Sequence, residues 1–166
     1  MANERGVFNT LRGRLTGDEP DESPYIHSSA TLRIFGCEPS FRPHNAPDDA
    51  VVSLDFAEIE SRLGVAATRH FRQGETRAGA RIQRCDVWFY ESSLAEDRPL
   101  SEHVDAVWAA VRAGADFLRS LKETVSVSVF LGYRSNDDKA GVVVPHASLE
   151  MFTTLEVPFE LSIIVT

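Results

Sequence analysis

The chain is poor in the residues that staple, span or power a protein. Only two cysteines stand among its 166 residues. Neither Cys37 nor Cys85 has a second cysteine or a histidine at metal-ligand spacing. They read as reduced thiols in a cytoplasmic protein, not as a disulfide scaffold or a zinc site. The five histidines, His27, His44, His70, His103 and His146, show no His-x-His or His-x-x-x-His pattern, so no metal is expected. No run of about 18 apolar residues occurs. Near the start, Val7-Phe8 gives way at once to Asn9, Thr10 and Arg12. Neither a membrane span nor an export signal is therefore expected. A glycine-rich phosphate loop, a nucleophile elbow and a dinucleotide fingerprint are all missing, because Gly132 and Gly141 lack the strand-turn-helix spacing those sites need. No cofactor and no catalytic residue are assigned.

Positive charge is also scarce. Seventeen Lys and Arg face 25 Asp and Glu, a formal charge of -8. That balance excludes an extended nucleic-acid footprint and attraction to an anionic membrane, and it steers the protein toward basic partners. What is present is ordinary for a folded chain. An apolar fraction of 43% with 25% charged residues, at this length, supports one domain with its own core.

Residues 1–27 read as a polar, loosely held arm, most disorder-like over Gly17-Asp18-Glu19-Pro20-Asp21-Glu22-Ser23-Pro24. Residues 28–166 read as a single domain. Residues 30–35 alternate as a strand with Leu32 and Ile34 inward. Residues 37–53, with Pro39, Pro43 and Pro47, form a long loop. A helix over 55–63 carries the best local signals: Asp55 as cap, Glu58 three residues on, Leu54 and Ile59 as a hydrophobic staple, Phe56, Ile59 and Leu63 at helical spacing, and Gly64 as the stop. A charged strand follows over 68–74, then a turn or exposed hairpin over 76–83. The strand over 85–90 puts Trp88 and Tyr90 on one face.

The longest helix spans 101–122, capped by Ser101, with Val104, Val107, Trp108, Val111, Leu118 and Leu121 in one apolar stripe. A half-buried strand over 125–133 turns at Asn136–Gly141 and pairs with a return strand over 142–144. A short helix over 147–155 and a closing strand over 159–166 complete the chain. The order β-α-β-β-α-β-β-α-β predicts an α+β, two-layer fold. It combines a mostly antiparallel sheet with three helices and has a ferredoxin-like beginning.

Chemistry concentrates in one stretch. Arg69, His70 and Arg72, followed by Arg77, Arg81 and Arg84, are the one dense basic group of an acidic protein, and arginine's planar fork suits a phosphate or carboxylate. The alternative is a solvated hairpin whose arginines pair with nearby Asp and Glu. His103, at the start of the long helix, reads either as a general base or partner of Arg72, or as a half-buried structural histidine. Trp88 and Tyr90 can form an aromatic floor, whereas Trp108 belongs to the core.

Two functions follow. The first is a protein-binding module, partner-neutralising or immunity-like, that meets a basic partner through an acidic surface. The second is a small enzyme or sensor of a small anionic ligand built on Arg69, His70, Arg72 and His103, with Trp88 or Tyr90.

Several of these segments together carry a resemblance. They are the opening strand over 30–36, the helix over 56–63 running into Gly64-Val65 and Thr68, and the basic strand ending in Gly74-Glu75. The Trp88 strand, the Glu102-His103-Val104 helix start and the terminal strand complete the set. In these the chain resembles the bacterial family catalogued as domain of unknown function 4279, over about residues 28–166. The resemblance implies a single bacterial intracellular domain and carries over no reaction and no catalytic residue. The loop over 37–53 is longer than that family's usual connection.

Overall fold

The computed structural model of the chain describes residues 25–37, 51–77, 81–137 and 141–165. Most of the expected arm and most of the 37–53 loop lie outside the described residues. The elements run β1 (Ile26–Phe35), α1 (Phe56–Leu63), β2 (Arg69–Phe71), β3 (Thr76–Arg77), β4 (Arg81–Ile82), β5 (Val87–Glu91), α2 (Leu100–Val111), α3 (Ala115–Leu121), β6 (Ser126–Ser135), α4 (Glu150–Leu155) and β7 (Phe159–Val165).

Five strands form one sheet in the order β2-β5-β1-β6-β7, and β3 pairs with β4 in a separate hairpin. All neighbours in the sheet are antiparallel except β6 and β7, which are parallel because α4 carries the chain across between them. The fold is α+β with a mixed sheet. Alternation explains which face is covered. Ala30, Leu32 and Ile34 of β1 lie opposite Leu131, Val129 and Val127 of β6, all buried under α2 and α3 with Val104, Val107, Val111 and Leu118. The opposite face is more polar: Arg33 reaches Ser128 at 3.2 Å and Glu160 at 2.5 Å, and lies over the Phe130 ring.

The first helix forms as its local signals require. The Asp55 side chain accepts a hydrogen bond from the Glu58 N–H at 3.0 Å, and Gly64 closes the helix at φ 72, in the left-handed region that glycine enters without strain. Other expectations are corrected. β1 begins at Ile26, inside the stretch read as an arm. His27, Ser28 and Ser29 mask its alternation, and its first residues are held by pairing with β6, a contact remote in sequence.

The strand expected over 142–144 does not form. Both sides of β6 are taken, by β1 and by β7, and Val142 and Val144 pack instead as partly buried side chains against the core. The long helix breaks into α2 and α3 at a 3₁₀ turn over Arg112–Gly114. Gly114 sits against the end of α1, where a Cβ would come within 2.7 Å of Leu63 Cδ2, so the two backbones approach as only glycine permits. Ser101 is not the cap, because α2 starts one residue earlier with Pro99 in the cap position.

The two cysteines are not free. Cys37 and Cys85 form a disulfide with Cα atoms 5.9 Å apart, 48 residues apart in the chain. The register of β1 on β5 pairs Phe35 with Val87, which brings Cys37, two residues past one strand, beside Cys85, two residues before the other. Linear spacing carries no trace of that proximity. Among the described residues no helix is long and apolar enough to cross a membrane.

Candidate functional site

The basic stretch folds around a buried carboxylate. Asp86, at the entrance to β5, is 4% exposed and accepts four hydrogen bonds. The donors are the Leu54 N–H at 3.0 Å, the Gln73 N–H at 2.8 Å, the Ser53 hydroxyl at 3.2 Å and Arg72 Nη1 at 2.7 Å. Burial by itself raises the Asp86 pKa. The donations from Gln73, Arg72 and Leu54 outweigh it and hold the carboxyl below its ordinary range. Arg72 Nη1 also donates to the Leu54 carbonyl at 2.6 Å, and its guanidinium lies 3.7 Å from the centre of the Phe56 ring. One arginine thus ties the end of β2 to the entry of α1 and the start of β5.

The other predicted residues divide among several places. The His70 ring lies 4.7 Å from the same Phe56 ring, so His70 and Arg72 flank one aromatic side chain. Arg69 points to the opposite sheet face, where it meets Glu91 at 3.3 Å and lies over Phe89. Trp88 is fully buried and stacks on Tyr90 with ring centres 6.4 Å apart. His103 is 1% exposed on α2, and its Nδ1 lies 2.9 Å from Ser92 Oγ. Burial lowers the His103 pKa against the opposing influence of the Ala95 backbone and of Glu102, Glu91 and Glu96, so the ring is neutral at pH 7. Arg77 and Arg81 are partners in the backbone register of β3 and β4, and Arg84 is exposed. Among the described residues no group of three His, Cys, Asp or Glu could hold a metal ion.

A second surface lies at the far edge of the sheet, one that sequence reasoning did not single out. No described strand pairs with the outer side of β7. Its side chains are apolar along one face and Ile164 adds an apolar side chain to the other, and Ile163, Ile164 and Val165 are 59%, 51% and 55% exposed. Beside it opens an apolar groove of about 540 Å³ between β7 and α4, lined by Val142, Val144, Leu149, Phe152, Phe159 and Leu161. Exposed Glu150 and Glu156 stand at the two ends of α4. The signal in the sequence was the last seven residues of the strand, Phe159–Val165, which carry one charge and no lysine or proline. A half-buried strand alternates with polar residues, and here Ile164 breaks that alternation.

No curated protein and no solved structure matches this chain. The family model described as Domain of unknown function (DUF4279) matches residues 26–166, starting at the first residue of β1 and taking in every described strand and helix. The chain therefore belongs to that family.

Proposed function

We propose that the protein is a protein-binding module that receives an extended strand of a basic partner along β7. One observation carries this reading: β7 is a seven-residue sheet edge, unpaired on its outer side among the described residues, that opens onto an apolar groove. Main-chain groups along such an edge supply affinity, and pockets for alternate side chains supply selectivity. The groove offers those pockets. The formal charge of -8, with exposed Glu150 and Glu156 at the two ends of α4, favours a partner of opposite sign and speeds its approach.

In its finer form the proposal is of a bacterial partner-neutralising protein, immunity-like in that it covers a basic protein. The reading of both cysteines as free thiols is one of the grounds for a cytoplasmic placement. The Cys37–Cys85 disulfide removes that ground, and the binding proposal does not depend on compartment.

Fluorescence anisotropy tests the proposal with a labelled peptide of alternating Leu and Val flanked by Lys, compared with the same peptide flanked by Glu. The Lys-flanked peptide is expected to bind more tightly, to weaken as salt rises, and to lose binding in Ile163→Lys. Absence of binding by either peptide, or equal binding by wild type and variant, overturns it.

A further inference from the structure

We infer that, when no other strand occupies it, the β7 edge pairs with β7 of a second copy of this chain, antiparallel and about a two-fold axis through Ser162. The inference rests on the reading of β7 as a binding edge, and it names the resident occupant. A free edge of this kind is a ready template for another strand. Monomeric proteins blunt such edges with short strands, lysine, proline or bulges. None of these devices lies within Phe159–Val165; Pro158 precedes the strand and leaves its seven residues regular.

The sequence of β7 is complementary to itself. Antiparallel pairing centred on Ser162 sets Phe159 opposite Val165 of the second copy and Leu161 opposite its Ile163. Residues directly opposite in antiparallel strands share a face. On the groove face all four positions, 159, 161, 163 and 165, are therefore apolar in both copies. The contact is isologous, which is what a closed two-fold dimer needs.

On the other face Glu160 meets Ile164 of the second copy. The Glu160 carboxylate is already held by Arg33 at 2.5 Å, so no unpaired like charges oppose each other near the axis despite the acidity of the whole chain. Shifting the register by one residue would place Glu160 opposite Val165 and Ser162 opposite Ile163, mixing the two faces. The pattern thus selects one register. Pairing extends the sheet from five strands to ten. It also places the two apolar grooves on the same side, flanking the axis.

Sedimentation velocity on the full chain, with a cysteine cross-link, tests both the state and the register. Wild type is expected to sediment as a dimer, and Ile163→Lys as a monomer with an unchanged circular dichroism spectrum, its urea midpoint falling only by the lost association. Opposite residues in an antiparallel pair have Cα atoms about 4.5–5.5 Å apart, within disulfide range. With oxidised glutathione as oxidant, Ser162→Cys is expected to cross-link to its symmetry mate. Ile164→Cys, placed opposite Glu160 and far from its own copy, is not. A dimer that survives Ile163→Lys, or that cross-links through Ile164→Cys and not Ser162→Cys, overturns the inference. Wild type that stays monomeric and still binds the Lys-flanked peptide overturns self-pairing alone. A monomer that binds no strand peptide overturns the binding-edge reading as well.

Discussion

At one edge of the sheet β2 runs for three residues, Arg69–Phe71, and its side chains include a paired arginine and an exposed histidine. Just beyond it Gln73 and Arg72 are drawn onto Asp86, and the chain turns away into the β3–β4 hairpin. At the other edge β7 runs for seven residues with one charged side chain, and that one is already paired with Arg33. The first edge is short and charged, whereas the second is long, largely apolar and without a described strand on its outer side. Since both border the same sheet, the contrast cannot come from fold class. The contrast is the ground on which strand addition is proposed at β7 and not at β2.

The largest expected effect sharpens the first edge. The Cys37–Cys85 bridge sits at that end of the sheet and spans a sequence separation of 48. On the chain-entropy scale a loop of that size is worth about 4 kcal/mol. Reduction with dithiothreitol, or Cys85→Ser, is expected to lower the urea midpoint strongly, and an unchanged midpoint would show that β5 and β1 hold this end without it.

Next comes Asp86→Asn, which leaves the buried donors of Leu54, Gln73 and Arg72 facing an amide. A loss on the order of 3 kcal/mol is expected, read by urea unfolding at pH 7. The folded carboxyl lies below its unfolded value of about 3.9. Its contribution is therefore complete above that pH and disappears as the pH falls through the folded value. The variant should accordingly flatten the acid limb of the wild-type stability curve. An equal acid limb in both proteins would place the acid sensitivity elsewhere.

The smallest effect belongs to the second edge. Ile164→Thr removes an exposed apolar side chain and keeps β-branching, so monomer stability should change by no more than about 0.5 kcal/mol. A loss of several times that size would mean that Ile164 is packed, and the contrast between the edges would fail.

Local physics was legible where one segment contained its own reasons. The Asp55 cap, the Phe56, Ile59 and Leu63 spacing and the Gly64 stop all lie within ten residues, and α1 forms as they require. Alternation also showed which residues of β1, β5 and β6 share a face. It did not say where in the sheet a strand lies, and β7 shows the consequence. A run read only as a closing strand belongs to an edge, because β6 already has β1 on its other side. The same limit explains residues 142–144, whose β-branched run had no open strand to pair with. In the basic stretch, the density of arginine was visible but its partners were not. Asp86 lies 14 residues from Arg72, and only the pairing of β2 with β5 brings them to 2.7 Å.

By itself the sequence determined the α+β class, the acidic charge, the first helix with both its ends, and membership of the family through short segments spread along the chain. These depend on composition and on interactions between residues close in sequence. Only the tertiary structure decided that Cys37 meets Cys85, that Arg72 is bound to Asp86 and Leu54, that His103 is buried and neutral, and that β7 has no described strand on its outer side. Each of those depends on strand order and register, which bring together residues 14 to 48 positions apart or leave a strand without a neighbour. No local pattern encodes that choice, because many strand orders satisfy the same alternation and only the packed core selects among them.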